Sequence, residues 1–149
     1  MFILNFLIFY PKKIASYFEW TGPLSARIIV GYVFMLTGLA KLQNLDAIIE
    51  NFEHWGIPFP HLTTPFVAGC ECFGGLFLMI GLMTRIFGGA LSIIMIVAII
   101  SAKLSDIDSL ETLLGFEEMI YFAVFSWLAI CGAGKFSLDY LLEKSFYKK

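Results

Sequence analysis

PFVAGCECFGGLFLMIGLMTRIFGGALSIIMIVAIISAKL, residues 65–104, is the stretch that decides what kind of fold this chain adopts. Only Glu71, Arg85 and Lys103 carry charge within it. It divides at Arg85 into two apolar runs, Pro65–Met83 and Ile86–Leu104. A run of about 18 residues rises about 27 Å as a helix, close to the thickness of a bilayer's hydrocarbon core. Two further runs, Leu24–Lys41 and Gly115–Ala133, have the same character. None alternates apolar with polar residues as barrel strands do. Only helices or closed barrels satisfy their backbone groups in lipid. The sequence therefore predicts an all-α fold, an integral membrane antiparallel four-helix bundle with short links.

Composition points the same way. The 149 residues are 59% hydrophobic and 15% charged, with mean hydropathy +0.83. Soluble domains are roughly half apolar and a quarter charged, and so small a domain buries too little of its surface to hide the surplus. A net charge of −2, with no basic run longer than Lys12-Lys13 or Lys148-Lys149, argues against nucleic acid as a partner. The three cysteines, Cys70, Cys72 and Cys131, show no disulfide spacing. Cys70 and Cys72 flank Glu71 and point apart on a helix, so packing is favoured over a thiol redox pair. His54 and His61 are the only histidines, and no metal is expected. No phosphate loop, dinucleotide fingerprint or nucleophile motif is present.

Outside the spans, Met1–Trp20 reads as an interfacial segment broken at Pro11. Three units are expected: an interfacial segment over residues 1–23, a membrane domain over 24–140 and a basic cytoplasmic tail over 141–149. Between the first two spans, Leu45, Ile48, Ile49, Phe52 and Trp55 recur at helical spacing among Asp46, Glu50, Asn51 and Glu53. Gln43–Trp55 is thus predicted as an additional amphipathic helix at the membrane surface, ended by Gly56-Ile57-Pro58-Phe59-Pro60. Lys12, Lys13, Arg27, Arg85, Lys135, Lys144, Lys148 and Lys149 fall on one side of the predicted spans, and only Lys41 and Lys103 on the other. The positive-inside rule then places both termini in the cytoplasm of a multi-pass inner-membrane protein.

Polar groups inside the spans carry the functional expectation. A carboxylate within a membrane helix is costly and faces the bundle interior or water. Glu71 sits about 9 Å inside the outer end of its span at 1.5 Å per residue. Lys41, Lys103 and Glu118 lie near the same end. Lys41–Glu71 is expected to be the core ion pair of one outer-facing pocket, with Glu118 as its second carboxylate and His54 and Trp55 as a lid. These three, Glu71, Lys41 and Glu118, are the candidates for proton handling. A purely structural role, fixing helix register, stays open. Lys103 is expected to snorkel to the headgroups, and Glu117 to be solvated. At the inner end, Arg27, Arg85 and Asp139 are expected to form an ionic tie across three helices, with binding of an anionic headgroup as the alternative.

Six stretches in this order resemble the DoxX family of small four-helix membrane proteins. They are Arg27 with Gly31 and Phe34, Thr37-Gly38-Leu39-Ala40-Lys41-Leu42, Gly56-Ile57-Pro58-Phe59-Pro60, Glu71-Cys72-Phe73-Gly74-Gly75, Gly81-Leu82-Met83-Thr84-Arg85 and Gly132–Asp139. The resemblance runs from about Ser25 to Tyr140 and departs at Ala133, where the family often has Pro. It implies a redox association, since relatives include the membrane subunit of a thiosulfate:quinone oxidoreductase. On that footing a quinone-like cofactor is expected between the helices. Phe34, Phe73, Phe77 and Phe122 would line its apolar slot. Partners would be the lipid bilayer and an oxidoreductase subunit or periplasmic protein. The rival readings are a non-catalytic assembly or docking protein and, ranked last, a small transporter or lipid-binding protein.

Overall fold

The computed structural model describes residues 5–146, and helices dominate them, with no strand among the described residues. A π-helical turn, Asn5–Phe9, runs directly into α1 (Tyr10–Tyr17). Pro11 does not break this segment. It sits in the first turn of α1, where its missing N–H costs little. The long helix α2 (Thr21–Gln43) follows, then the short α3 (Leu45–His54), then α4 (Pro60–Ile80). A tight turn leads into α5 (Thr84–Ala98), which continues through a π turn at Ile99–Lys103 and a 3₁₀ turn at Leu104–Asp106. The chain ends in α6 (Leu110–Gly115), α7 (Glu117–Cys131) and α8 (Leu138–Phe146).

Three of these are long and apolar enough to cross a bilayer: Thr21–Gln43, Pro60–Ile80 and Thr84–Asp106, with mean hydropathies of 1.5, 1.4 and 2.2. The protein is an all-α membrane protein. The fourth predicted run differs. Phe116 is extended (φ −70°, ψ 136°) and separates α6 from α7. The 15 residues of α7 rise about 22 Å, short of a full span. The second run also starts earlier than Pro65. Phe59 adopts a left-handed conformation, Pro60 opens the helix, and Pro65 lies inside it.

Small residues decide how the helices meet. Gly31 of α2 lies against Gly75 and Met79 of α4, and Gly38 lies on Ala68 and Cys72. The two helices therefore run antiparallel, and a Cβ at Gly38 or Gly75 would fall on the partner's backbone. Gly88 of α5 approaches Phe125 and Ala129 of α7 in the same way. Val30, Phe34, Leu78, Leu91, Met95, Phe125 and Leu128 form the core between these helices. Helix α3 packs its buried Phe52 inward from one end. Large apolar side chains such as Ile29, Ile93 and Ile130 remain exposed, as a lipid-facing surface allows. Residues 1–4 of the expected interfacial segment and 147–149 of the expected tail lie outside the described residues. Within that tail, residues 141–146 are helical.

Candidate functional site

At the turn end of the bundle the charged groups are bonded to backbone, beside a second cavity of about 600 Å³ lined by residues that include Arg85, Lys135, Asp139 and Glu143. At the turn between α4 and α5, Gly81 is left-handed (φ +70°) and Met83 is as well (φ +50°). Asp139, in the first turn of α8, accepts from Met83 N–H at 2.7 Å and Thr84 N–H at 2.9 Å. It thereby caps the N-terminus of α5 from outside, where a carboxylate also suits the helix dipole. Its own N–H donates to Gly81 C=O at 2.9 Å. Arg27 is almost fully buried, 1% exposed, and donates to Phe136 C=O at 2.6 Å. Arg85 donates to Ile130 C=O at 2.7 Å. The expected Arg27–Asp139–Arg85 ionic tie is therefore not formed. All three groups gather at this end, but backbone carbonyls and N–H groups take their hydrogen bonds.

The other end is open. There α2, α4, α5 and α7 surround a cavity of about 630 Å³. Its walls include Val33, Phe34, Val67, Ile94, Met95 and Tyr121, and Phe52, Trp55, Ile57 and Pro58 roof it. Two ion pairs border it. Lys41 Nζ donates to Glu71 Oε1 at 2.7 Å and lies 2.6 Å from Oε2. The first contact has hydrogen-bond geometry and the second is ionic, so both carboxylate oxygens lie against the one ammonium. Glu71 is 2% exposed. Lys103 Nζ lies 2.7 Å from both oxygens of Glu118 and 4.9 Å from the centre of the Phe116 ring.

Lys41 and Glu71 thus pair directly, and Glu118 reaches the same cavity. Glu118 is held there by Lys103, which folds back onto it instead of snorkelling outward. Trp55 contributes to the roof, but His54 does not line the cavity. The four aromatic candidates separate. Phe34 lines the cavity, with edge-on contacts to Tyr121 (5.0 Å) and Phe125 (4.7 Å). Phe73 is exposed, Phe77 stacks on Phe87 at 4.8 Å, and Phe122 packs against the core. None of those three lines the cavity. A helix apolar on every side carries no mark of which face turns inward, which is why their assignment failed. Lys103 reaches the pocket as its position near the outer end implied, but its pairing with Glu118 and the place of Tyr121 on the wall were not foreseen in the sequence. The spacing of Lys103 to Glu118 across a loop offered no periodic signal. All three cysteines are free. His61 Nε2 lies 3.7 Å from Glu53 Oε1 on the exposed surface, and no group of three His, Cys, Asp or Glu able to hold a metal occurs among the described residues.

A small helical membrane protein with a buried ion pair bordering an apolar cavity is the class that this geometry defines. The DoxX family model matches residues 22–104, more than half of the chain, and the chain belongs to the DoxX family. That match contains Arg27, Lys41, Glu71, Arg85 and Lys103, and ends before Glu118 and Asp139. The chain is 36% identical over 83 residues to a Bacillus subtilis (strain 168) protein named "Putative oxidoreductase CatD". That alignment covers 56% of this chain and 60% of the relative's length. It is 28% identical over 131 residues to "Inner membrane protein YqjF" of Escherichia coli (strain K12), covering 86% of this chain and 97% of that protein. No solved structure matches.

Proposed function

We propose that this protein is a redox-associated subunit of the inner membrane that binds a quinone-like molecule in the cavity bordered by Lys41–Glu71. The observation that carries the reading is the Glu71 carboxylate, nearly fully buried and paired to one lysine beside an apolar volume. Proton-coupled reduction of a quinone needs an acid–base group at its carbonyl oxygens and an apolar place for its ring. The residues present fit both needs. The Lys41 ammonium can donate to a carbonyl oxygen, and Glu71 can hold or give a proton there. Phe34 and Tyr121 offer flat apolar surface for a ring. The cofactor supplies the electron-accepting chemistry, and the electrons come from a partner oxidoreductase subunit or periplasmic protein. The relative named as an oxidoreductase supports the redox class. The lysine and arginine bias supports a topology with both termini in the cytoplasm and the cavity end outward.

The test is the ubiquinone and menaquinone content of the purified protein in mild detergent, wild type beside Glu71→Gln. Stoichiometric quinone in the wild type, lost in a folded Glu71→Gln variant, is the expected result. No quinone in either would sink the reading and leave a membrane assembly or docking role in its place.

A further inference from the structure

The rim of the cavity has two characters. The charged pairs and Thr37 mark one part of it. Phe66 of α4 and Ile93 and Val97 of α5 mark another. These three line the cavity and are also 68%, 62% and 44% exposed. A side chain that is both lining and exposed stands at a mouth. All three lie within helices long and apolar enough to span the bilayer, so the surface they share with the exterior meets acyl chains rather than water.

The same two helices are in close contact nearer their turn. Phe77 and Phe87 stack there with planes 3° apart, and Gly74 receives Phe87 and Leu91. Toward the opposite end the cavity takes the place of that packing. The bundle end above the cavity is roofed by Phe52, Trp55, Ile57 and Pro58. Phe66, Ile93 and Val97 thus give the cavity an apolar opening to the side, apart from the exposed rim at Trp55, Pro58 and Glu117.

We propose that the gap between α4 and α5 is a portal to the lipid phase, and that the cavity's ligand is an amphiphile. Its polar head meets the two ion pairs and its apolar tail leaves past Phe66, Ile93 and Val97. The assignment of a redox head rests on the function proposed above, but the portal does not. A tail that stays among acyl chains loses no hydrophobic stabilisation on binding.

Two measurements in lipid nanodiscs separate these points. The first replaces Trp20, Trp55 and Trp127 by Phe and adds Ile94→Trp, which puts the sole tryptophan on the cavity wall. Bilayers with acyl chains brominated along their length should quench it, and adding Ile93→Phe/Val97→Phe to narrow the gap should remove most of the quenching. No quenching in the open protein overturns the portal, whatever the ligand. The second compares binding of a long-tailed isoprenoid quinone with its tail-free head group. Ile93→Phe/Val97→Phe should weaken the tailed quinone about tenfold, referred to its bilayer concentration, and the head group less than about twofold. Equal effects on both overturn the tail's route. If the wild type binds neither quinone, the redox reading falls, and the quenching result still decides the portal.

Discussion

The two ends of the bundle hold the same kinds of residue and use them differently. At the turn end, Arg27 and Asp139 are tied to backbone: a carbonyl at 2.6 Å for the arginine, two N–H groups at 2.7 and 2.9 Å for the aspartate. The glycine beside them admits no side chain, because a Cβ at Gly81 would fall on the Arg27 guanidinium. At the cavity end, Lys41–Glu71 and Lys103–Glu118 are tied only to each other, and empty volume lies alongside. The first arrangement closes a loop onto helices. The second leaves two ion pairs facing a largely apolar volume. Charge buried in a membrane helix is therefore not by itself a functional mark. Arg27 Nε is also buried without a partner, and a cavity also lies beside Arg85 and Asp139, so what distinguishes the candidate site is charge paired with charge rather than with backbone.

The largest effect expected from breaking this contrast is at Lys41. Lys41→Met leaves Glu71 buried without its partner, and stability should fall by about 3–5 kcal/mol, the usual cost of orphaning one half of a buried pair. Lys41→Met with Glu71→Met should recover most of that loss, since an apolar pair of similar size needs no desolvation. Quinone binding should not recover in the double variant. Thermal midpoints in mild detergent, followed by near-UV circular dichroism beside quinone content, read both. Recovery of binding together with stability would assign the pair to architecture alone.

Next in size is Gly81→Ala. It places a side chain at positive φ, costing about 1–2 kcal/mol, and overpacks against Arg27, costing about 1–3 kcal/mol. A loss of about 3 kcal/mol is expected, with ligand affinity unchanged in the fraction that remains folded. Asp139→Asn removes the charge from the start of α5 and keeps an acceptor for only one of the two N–H groups, turning an amide NH₂ toward the other. About 2 kcal/mol should be lost, from the helix-terminus interaction and the missing hydrogen bond together. Both changes act at the turn end. If either altered ligand affinity more than about threefold at constant fold, which is under 1 kcal/mol, the two ends would be coupled.

The contrast was only half legible in the sequence. The apolar runs revealed the membrane class, and Glu71 stood out because a carboxylate six residues into a span demands a partner; Lys41 was the cation at the right depth. Gly31, Gly38, Gly75 and Gly88 lie where the helices approach most closely. Asp139 misled because sequence offers charges as partners for charges. The competing partners, two backbone N–H groups at a helix start 55 residues away, are invisible until the turn is folded. The break at Phe116 was hidden for a similar reason. Gly115 ends α6 just before it, but a glycine at the start of an apolar run does not tell that the next residue is extended, and only the backbone shows this. Phe73 and Phe77 were misplaced because their helix is apolar around most of its circumference.

The smallest stability effect is expected at Glu118, and it sharpens the comparison most. The Lys103 and Glu118 side chains are 31% and 18% exposed, so water and headgroups screen much of their attraction. Glu118→Gln should change stability by less than about 1 kcal/mol, as for pairs near a surface. Glu71→Gln, in a side chain 3% exposed, should cost more. If the cavity holds a ligand with polar groups at both ends of its head, Glu118→Gln should still weaken binding about threefold to tenfold, because the carboxylate and Lys103 face that volume together. Stability and affinity would then separate at this residue, as a pair that faces the cavity requires. If affinity followed stability and neither moved, the second pair would be a latch between α5 and α7. The site would contract to Lys41, Glu71 and the apolar wall around Phe34.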